Sequence, residues 1–273
     1  MNASDWLLVS DIDGTLITKA RHLPAKNRDA VARFVKNGGH FTLCSGRNLQ
    51  SLTPHYRKLD LTAPAIFLNG AGVYDFGTKK MLSYEPFSDE EERAILATVA
   101  THTNMDTTIF TPDRLYLLNP VVFGRMAARA DHLEYVVCHS AAAVPHGVWG
   151  KVTVFGAHSA LLAIKAELES CGDHLFDFFF TSKLTLEVSH HGTTKGSAVQ
   201  KLAAILGIDP QNVGAIGDYY NDTDMLKAVA HPVCCGQAPS DIKAIAEHVA
   251  CHCRDGAVAD FINYIETTYI SQS

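Results

Sequence analysis

Two periodicities alternate along the first third of the chain. Residues 7–10 and 40–44 are short, nearly continuous apolar runs, and between them Ala30, Val31, Phe34 and Val35 recur at helical spacing until Gly38-Gly39. The short runs predict strands buried on both faces, joined by a helix over residues 24–36. A second helix is predicted at 48–59 and a third apolar strand at 65–68, which ends in Asn69-Gly70-Ala71-Gly72. Strand–helix–strand alternation implies parallel β-α-β units with right-handed crossovers.

Near Tyr74 the texture changes. Residues 73–75 and 80–83 read as a hairpin, and Ser88 reads as the N-cap of a helix with acidic residues in its first turn. Strands are predicted at 107–111, 114–118 and 151–155, a helix at 159–170, and a hairpin from 176–181 and 184–188. Residues 119–150 carry no legible period. The opening pattern then resumes: a helix at 197–206 closed by Gly207, a strand at 213–217, a helix at 224–230, a strand at 232–235, and helices at 241–248 and 257–265. The expected fold class is α/β: a doubly wound, Rossmann-like parallel-sheet domain from residues 1–82 and 188–273, with an inserted α+β domain at 83–187.

Composition narrows the partners. The 273 residues include 23 basic and 29 acidic side chains, a net charge of −6, and 47% hydrophobic residues. A substantial core is therefore expected and disorder is not. A mildly acidic chain has no bulk electrostatic reason to hold nucleic acid or an anionic membrane, so neither is an expected partner. No obligate protein partner is implied. Any phosphate must be held locally, by a metal, a lysine or backbone amides. No apolar run approaches the ~18–20 residues of a membrane span, and MNASDWLLVS lacks the pattern of a secretory signal. A cytoplasmic setting is expected. The pairs Cys234-Cys235 and Cys251-x-Cys253 are weak metal or disulfide signals, and ordinary buried thiols are the expectation.

Four motifs fall where strands are predicted to end. The first is Asp11-Ile12-Asp13-Gly14-Thr15. Side chains alternate on a strand, so Asp11 and Asp13 start out on one side, and two like charges that close need a cation, a proton or a ligand. A calcium loop would want Gly and Glu where Leu16 and His22 stand. The second is Cys44-Ser45-Gly46-Arg47, whose backbone amides and Ser45 hydroxyl could hold a phosphate oxygen; an ordinary helix cap explains Ser45 about as well. The third, Thr193-Thr194-Lys195-Gly196-Ser197, superficially resembles a P-loop but has its glycine after the lysine. A lysine at a helix start opposes the helix dipole, which hints that it faces an anion. The fourth, Gly217-Asp218-Tyr219-Tyr220-Asn221-Asp222-Thr223-Asp224, places three aspartates at a strand end. With Asp11 and Asp13 it would gather four or five carboxylates at one sheet edge. All-oxygen ligation is what Mg²⁺ prefers.

In order and spacing these motifs resemble the haloacid dehalogenase superfamily of phosphotransferases. The late lysine, the position of the insert and the tail from Cys235-Gly236-Gln237-Ala238 to Asp255-Gly256-Ala257-Val258 resemble its Cof-type subgroup, whose insert is a C2B-type cap. The resemblance implies a Mg²⁺-dependent phosphatase of small phosphorylated metabolites, sugar phosphates being one class. It makes Asp11 the nucleophile, Asp13 the acid/base and Lys195 a catalytic cation. Thr15, Ser45, Gly46, Arg47, Asn69, Gly70 and Asn221 would serve substrate or phosphate. Asp11, Asp13 through its main-chain carbonyl, Asp218 and Asp222 would serve the metal. Tyr219-Tyr220 is bulkier than the pattern expects, Gln237 replaces a common asparagine, and His190-His191 stand where relatives are often less polar. Exposed loop residues or substrate contacts both fit those histidines. A phosphomutase, or a phosphometabolite-binding protein without turnover, would share most of these features.

Overall fold

The computed structural model describes residues 2–119, 122–139 and 143–270. The chain opens with β1 (Leu7–Ser10), α1 (Ala25–Lys36), β2 (His40–Leu43), α2 (Leu49–Lys58), β3 (Ala65–Phe67), β4 (Gly72–Asp75) and β5 (Lys80–Tyr84). The middle segment contributes α3 (Asp89–Thr101), β6 (Asp106–Phe110), β7 (Leu115–Leu118), α4 (Phe123–Ala130), β8 (Tyr135–Cys138), β9 (Lys151–Phe155), α5 (His158–Glu169), β10 (Phe176–Ser182) and β11 (Thr185–His190). The last segment holds α6 (Lys195–Leu206), β12 (Val213–Gly217), α7 (Thr223–Lys227), β13 (His231–Cys234), α8 (Ser240–Ile245), β14 (His248–Val249) and α9 (Ala257–Thr268). Two compact units result: Met1–Gly46, Pro54–Leu82 and Thr194–Ser273 form one, Arg47–Thr53 and Ser83–Thr193 the other. No helix among the described residues is long and apolar enough to cross a membrane.

The first unit is built on a parallel sheet in the order β14-β13-β12-β1-β2. Its central strands read as continuous apolar runs because both faces are covered. Leu7, Val9, Val213 and Ala215 pack with Val199 and Leu202 of α6 and Met225 and Leu226 of α7. On the opposite face Leu8 and Phe261 of α9 close over Gly214, where a Cβ would press against both at 3.0–3.1 Å. The predicted third strand departs from this sheet. β3 pairs antiparallel with β4 in a three-stranded sheet, β3-β4-β5, and touches the end of β2 through one parallel bridge, Cys44 to Ile66.

Several helix boundaries differ from the sequence pattern, α7 ending at Lys227 and α9 running on to Thr268 among them, and two of the differences have a visible cause. α6 starts at Lys195 rather than Ser197, because the Thr194 hydroxyl caps it by accepting from the Ser197 N–H at 3.1 Å. The helix expected at 241–248 stops at Ile245. Beyond it the Glu247 and Ala250 N–H groups bond to the Pro232 and Cys234 carbonyls, so His248–Val249 becomes an edge strand.

The second unit carries a sheet in the order β10-β11-β9-β6-β7-β8. Ile95 and Val99 of α3 and Leu161, Ile164 and Leu168 of α5 join Ile109, Val152, Val154, Leu186 and Val188 in its core. The Ser88 cap predicted for α3 is a full capping box, with Ser88 N–H to Glu91 at 2.7 Å and Glu91 N–H to Ser88 at 3.3 Å. Within the illegible stretch, α4 begins where the buried Asp106 carboxylate accepts from the N–H groups of Val122 and Gly124.

Candidate active site

Strand order reverses between β1 and β12: the chain runs from β1 out to β2, and later returns through β12 to β13 and β14. Doubly wound sheets open a crevice beyond the carboxyl ends of the strands at such a point. Asp11 directly follows β1 and Asp218 directly follows β12, and the Asp11 N–H still bonds to the Ile216 carbonyl at 3.0 Å. Both carboxylates are thereby delivered to the switch point. The turn Tyr220–Asp222 brings in a third. Asp222 Oδ2 accepts from the Asp218 N–H at 2.9 Å and the Tyr219 N–H at 3.3 Å, folding the turn back on its own strand. Gly217 makes room, since a Cβ there would meet the Asp222 side chain at 2.5 Å. Carboxylate oxygens of Asp11, Asp218 and Asp222 lie within 4.8 Å of one another.

Lys195, in the first turn of α6, reaches into this group. Its Nζ lies 2.6 Å from Asp11 Oδ1 and 2.7 Å from Asp222 Oδ1, and it is 2% exposed. The cost of a cation against the helix dipole is thus offset by two carboxylates. Burial alone would lower the proton affinity of Lys195, but Asp11 and Asp222 hold it well above the ordinary value, so it stays charged. Burial pushes the Asp11 carboxyl up to about 7 against the pull of Lys195. Burial, reinforced by Asp222, pushes Asp218 up to about 6. Three carboxylates against one ammonium leave two negative charges in a site with little solvent, which is a deficit that a divalent cation would fill. Burial also raises the thiols of Cys44 and Cys235, which remain neutral beside it.

A second group of predicted residues borders the first. The Asn69 N–H bonds to the Ser45 carbonyl at 3.0 Å, and Asn69 Oδ1 would lie 2.7 Å from a Cβ at Gly46. Gly70, with φ of 108°, lies so close to the Thr194 carbonyl that any Cβ would overlap it, which sets the Asn69-Gly70 loop against the start of α6. Ser45, Gly46, Asn69 and Gly70 therefore meet at the ends of β2 and β3. The Thr15 hydroxyl lies 3.5 Å from Asp218 Oδ1.

A family model for haloacid dehalogenase-like hydrolases matches residues 8–262. The chain belongs to that family. Among curated relatives, an HMP-PP phosphatase of Serratia proteamaculans is 27% identical over 98% of each chain. A pyridoxal phosphate phosphatase of Escherichia coli is 25% identical over 94% of this chain and 97% of its own. A solved haloacid dehalogenase-like hydrolase from Bacteroides thetaiotaomicron shares the fold with a TM-score of 0.87, at 21% identity over 95% of this chain and 99% of that one.

In this haloacid dehalogenase-like hydrolase not every predicted residue joins the cluster. Asp13 is exposed on the turn that holds Gly14, and its side chain is not among the three close carboxylates. Asn221 and Asp224 are exposed as well. Arg47 falls in the second unit, where its Nη1 lies 3.5 Å from Asp131. His190 and His191 also belong there, His190 with the buried Glu91 at 2.8 Å and His191 with Asp177 at 2.9 Å. One residue carries more than its sequence context promised. Gln237 Nε2 donates to the Gly14 carbonyl at 2.6 Å, and its Oε1 accepts from the Cys253 N–H at 3.0 Å. The available signal was its place just past the end of β13, at the same sheet edge as Asp11 and Asp218.

Proposed function

We propose that this protein is a Mg²⁺-dependent phosphatase that hydrolyses phosphate monoesters of small metabolites, sugar phosphates among them, through a phosphorylated Asp11. The observation that carries the reading is the buried trio of Asp11, Asp218 and Asp222 around Lys195 at the switch point. Relatives named as phosphatases of HMP-PP and of pyridoxal phosphate support it. The donor set fits Mg²⁺: it is all oxygen and short of positive charge. Asp11, Asp218, Asp222 and the Asp13 carbonyl would hold the ion. When bound, it would offset the charge that otherwise repels a phosphate and polarise the phosphoryl oxygens.

In the chemical step an ionised Asp11 oxygen attacks phosphorus, the phosphorus–oxygen ester bond breaks, and Asp13 gives its proton to the leaving oxygen. An aspartyl-phosphate remains. Asp13, now a carboxylate, takes a proton from water, whose oxygen attacks phosphorus and releases inorganic phosphate and free Asp11. Lys195 and the Ser45 hydroxyl hold the non-bridging oxygens, with the Gly46 amide beside them. Asn69-Gly70 shapes the substrate side, Thr15 holds the loop, and Asn221 orients Lys195 and the phosphate.

Incubation of the purified protein and Mg²⁺ with a panel of phosphorylated metabolites is expected to release inorganic phosphate from several. Isomer interconversion without free phosphate would point to a mutase, and no turnover of any ester would overturn the reading. The metal makes a separate prediction. Asp11 and Asp218 hold protons up to about 7 and about 6 in the fold, against an ordinary 3.8. The folded state therefore binds protons more tightly than the unfolded chain, and the metal-free protein loses stability through this site as pH rises from about 4 to about 7. Mg²⁺ competes with those protons. It is expected to raise the melting temperature little at about pH 5.5 and clearly at about pH 7.5, read by differential scanning fluorimetry. A shift of equal size at both pH values counts against these carboxylates as ligands.

A further inference from the structure

The loop after β13 returns to the switch point at Gln237, and its side chain bridges two separate segments. Nε2 donates to the Gly14 carbonyl at 2.6 Å and Oε1 accepts from the Cys253 N–H at 3.0 Å. The Cys253 bond fixes which end of the amide is which, because only a carbonyl oxygen can accept from a backbone N–H. Nε2 is thereby the end that donates to the Gly14 carbonyl.

The loop that carries this carbonyl lies against Asp218 for a reason visible in the backbone. Gly14 sits at φ of 92°, and a Cβ there would overlap Asp218 Oδ2. With no side chain between them, the Gly14 backbone lies directly against the Asp218 carboxylate. The Gln237 amide holds the Gly14 carbonyl, and with it this loop, in that position. The Cys253 anchor, just ahead of α9, keeps the donor from moving with that loop.

We propose that Gln237 is a positioning residue that holds the loop carrying Asp11 and Asp13 in place against Asp218, and so sets the affinity of the three carboxylates for a divalent cation. The inference rests on the Mg²⁺ reading above. Groups that hold metal ligands in place typically change affinity by ~10–100-fold when removed.

The test compares Gln237→Met, similar in length but unable to hydrogen-bond, with Gln237→Asn, which keeps a carboxamide. Two readouts are taken: the Mg²⁺ dependence of the melting temperature without substrate, and the Mg²⁺ dependence of phosphate release. For Gln237→Met the Mg²⁺ concentration giving half the effect is expected to rise about tenfold in both, with most of the lost rate returning at saturating Mg²⁺. Gln237→Asn is expected to fall between that variant and the parent. An unchanged Mg²⁺ midpoint in Gln237→Met, or a lost rate that excess Mg²⁺ does not return, overturns the positioning role. A parent protein indifferent to Mg²⁺ in both readouts overturns the metal reading itself, and the two failures are thereby told apart.

Discussion

Asp11→Asn is expected to lower phosphate release from p-nitrophenyl phosphate by on the order of 10⁵-fold, in a protein that still folds. The amide has the shape of the carboxylate but no anionic oxygen to attack phosphorus. The fold should survive because Lys195 keeps its second partner, Asp222, at 2.7 Å. Stability without metal should even hold or rise near neutral pH. Burial pushes Asp11 up to about 7, so its ionised form destabilises the fold there, and asparagine removes that cost. Activity and melting temperature measured on the same preparation separate the two effects. A variant within tenfold of the parent rate would exclude Asp11 as nucleophile.

Lys195→Met is expected to damage both activity and stability. The ammonium lies between two carboxylates that are themselves 5% and 0% exposed, and its removal leaves Asp11 and Asp222 facing each other without a counter-charge. Breaking a buried ion pair by deleting one partner typically costs about 3–5 kcal/mol. Urea denaturation at about pH 7.5 without Mg²⁺ should show a loss of that order. The sign of its pH dependence follows from Asp11. Without the lysine, Asp11 holds its proton to still higher pH in the fold, so the variant loses more stability than the parent as pH rises. The gap should narrow on acidification toward about pH 5, where the proton replaces the ammonium. A constant gap across that range would mean that Lys195 stabilises by packing alone.

How legible these features were depends on how local their causes are. The strands at 7–10 and 213–217 could be read because both faces are buried, so their residues are apolar or small almost throughout. The Ser88 cap could be read because its partner is three residues away. By contrast α4 hid in the stretch 119–150. It exposes Phe123 and Met126 to solvent, so its apolar residues do not mark its buried face, and its start is fixed by Asp106 on a strand. β14 hid because only its bonds to β13 make it extended. Gln237 was visible as a residue but not as a bridge, since Gly14 lies 223 positions away.

By itself the sequence determined the alternating α/β build, the order of the four motifs and their place at strand ends, because apolar period and turn chemistry act over a few residues. Only the tertiary structure decided which carboxylates meet. Parallel pairing of Ser10 with Ile216 sets Asp11 beside Asp218, and the turn after β12 presents Asp222 to Lys195, while Asp13 is exposed outside that trio. That choice is made by backbone hydrogen bonds between segments some two hundred residues apart, whose register no local period encodes.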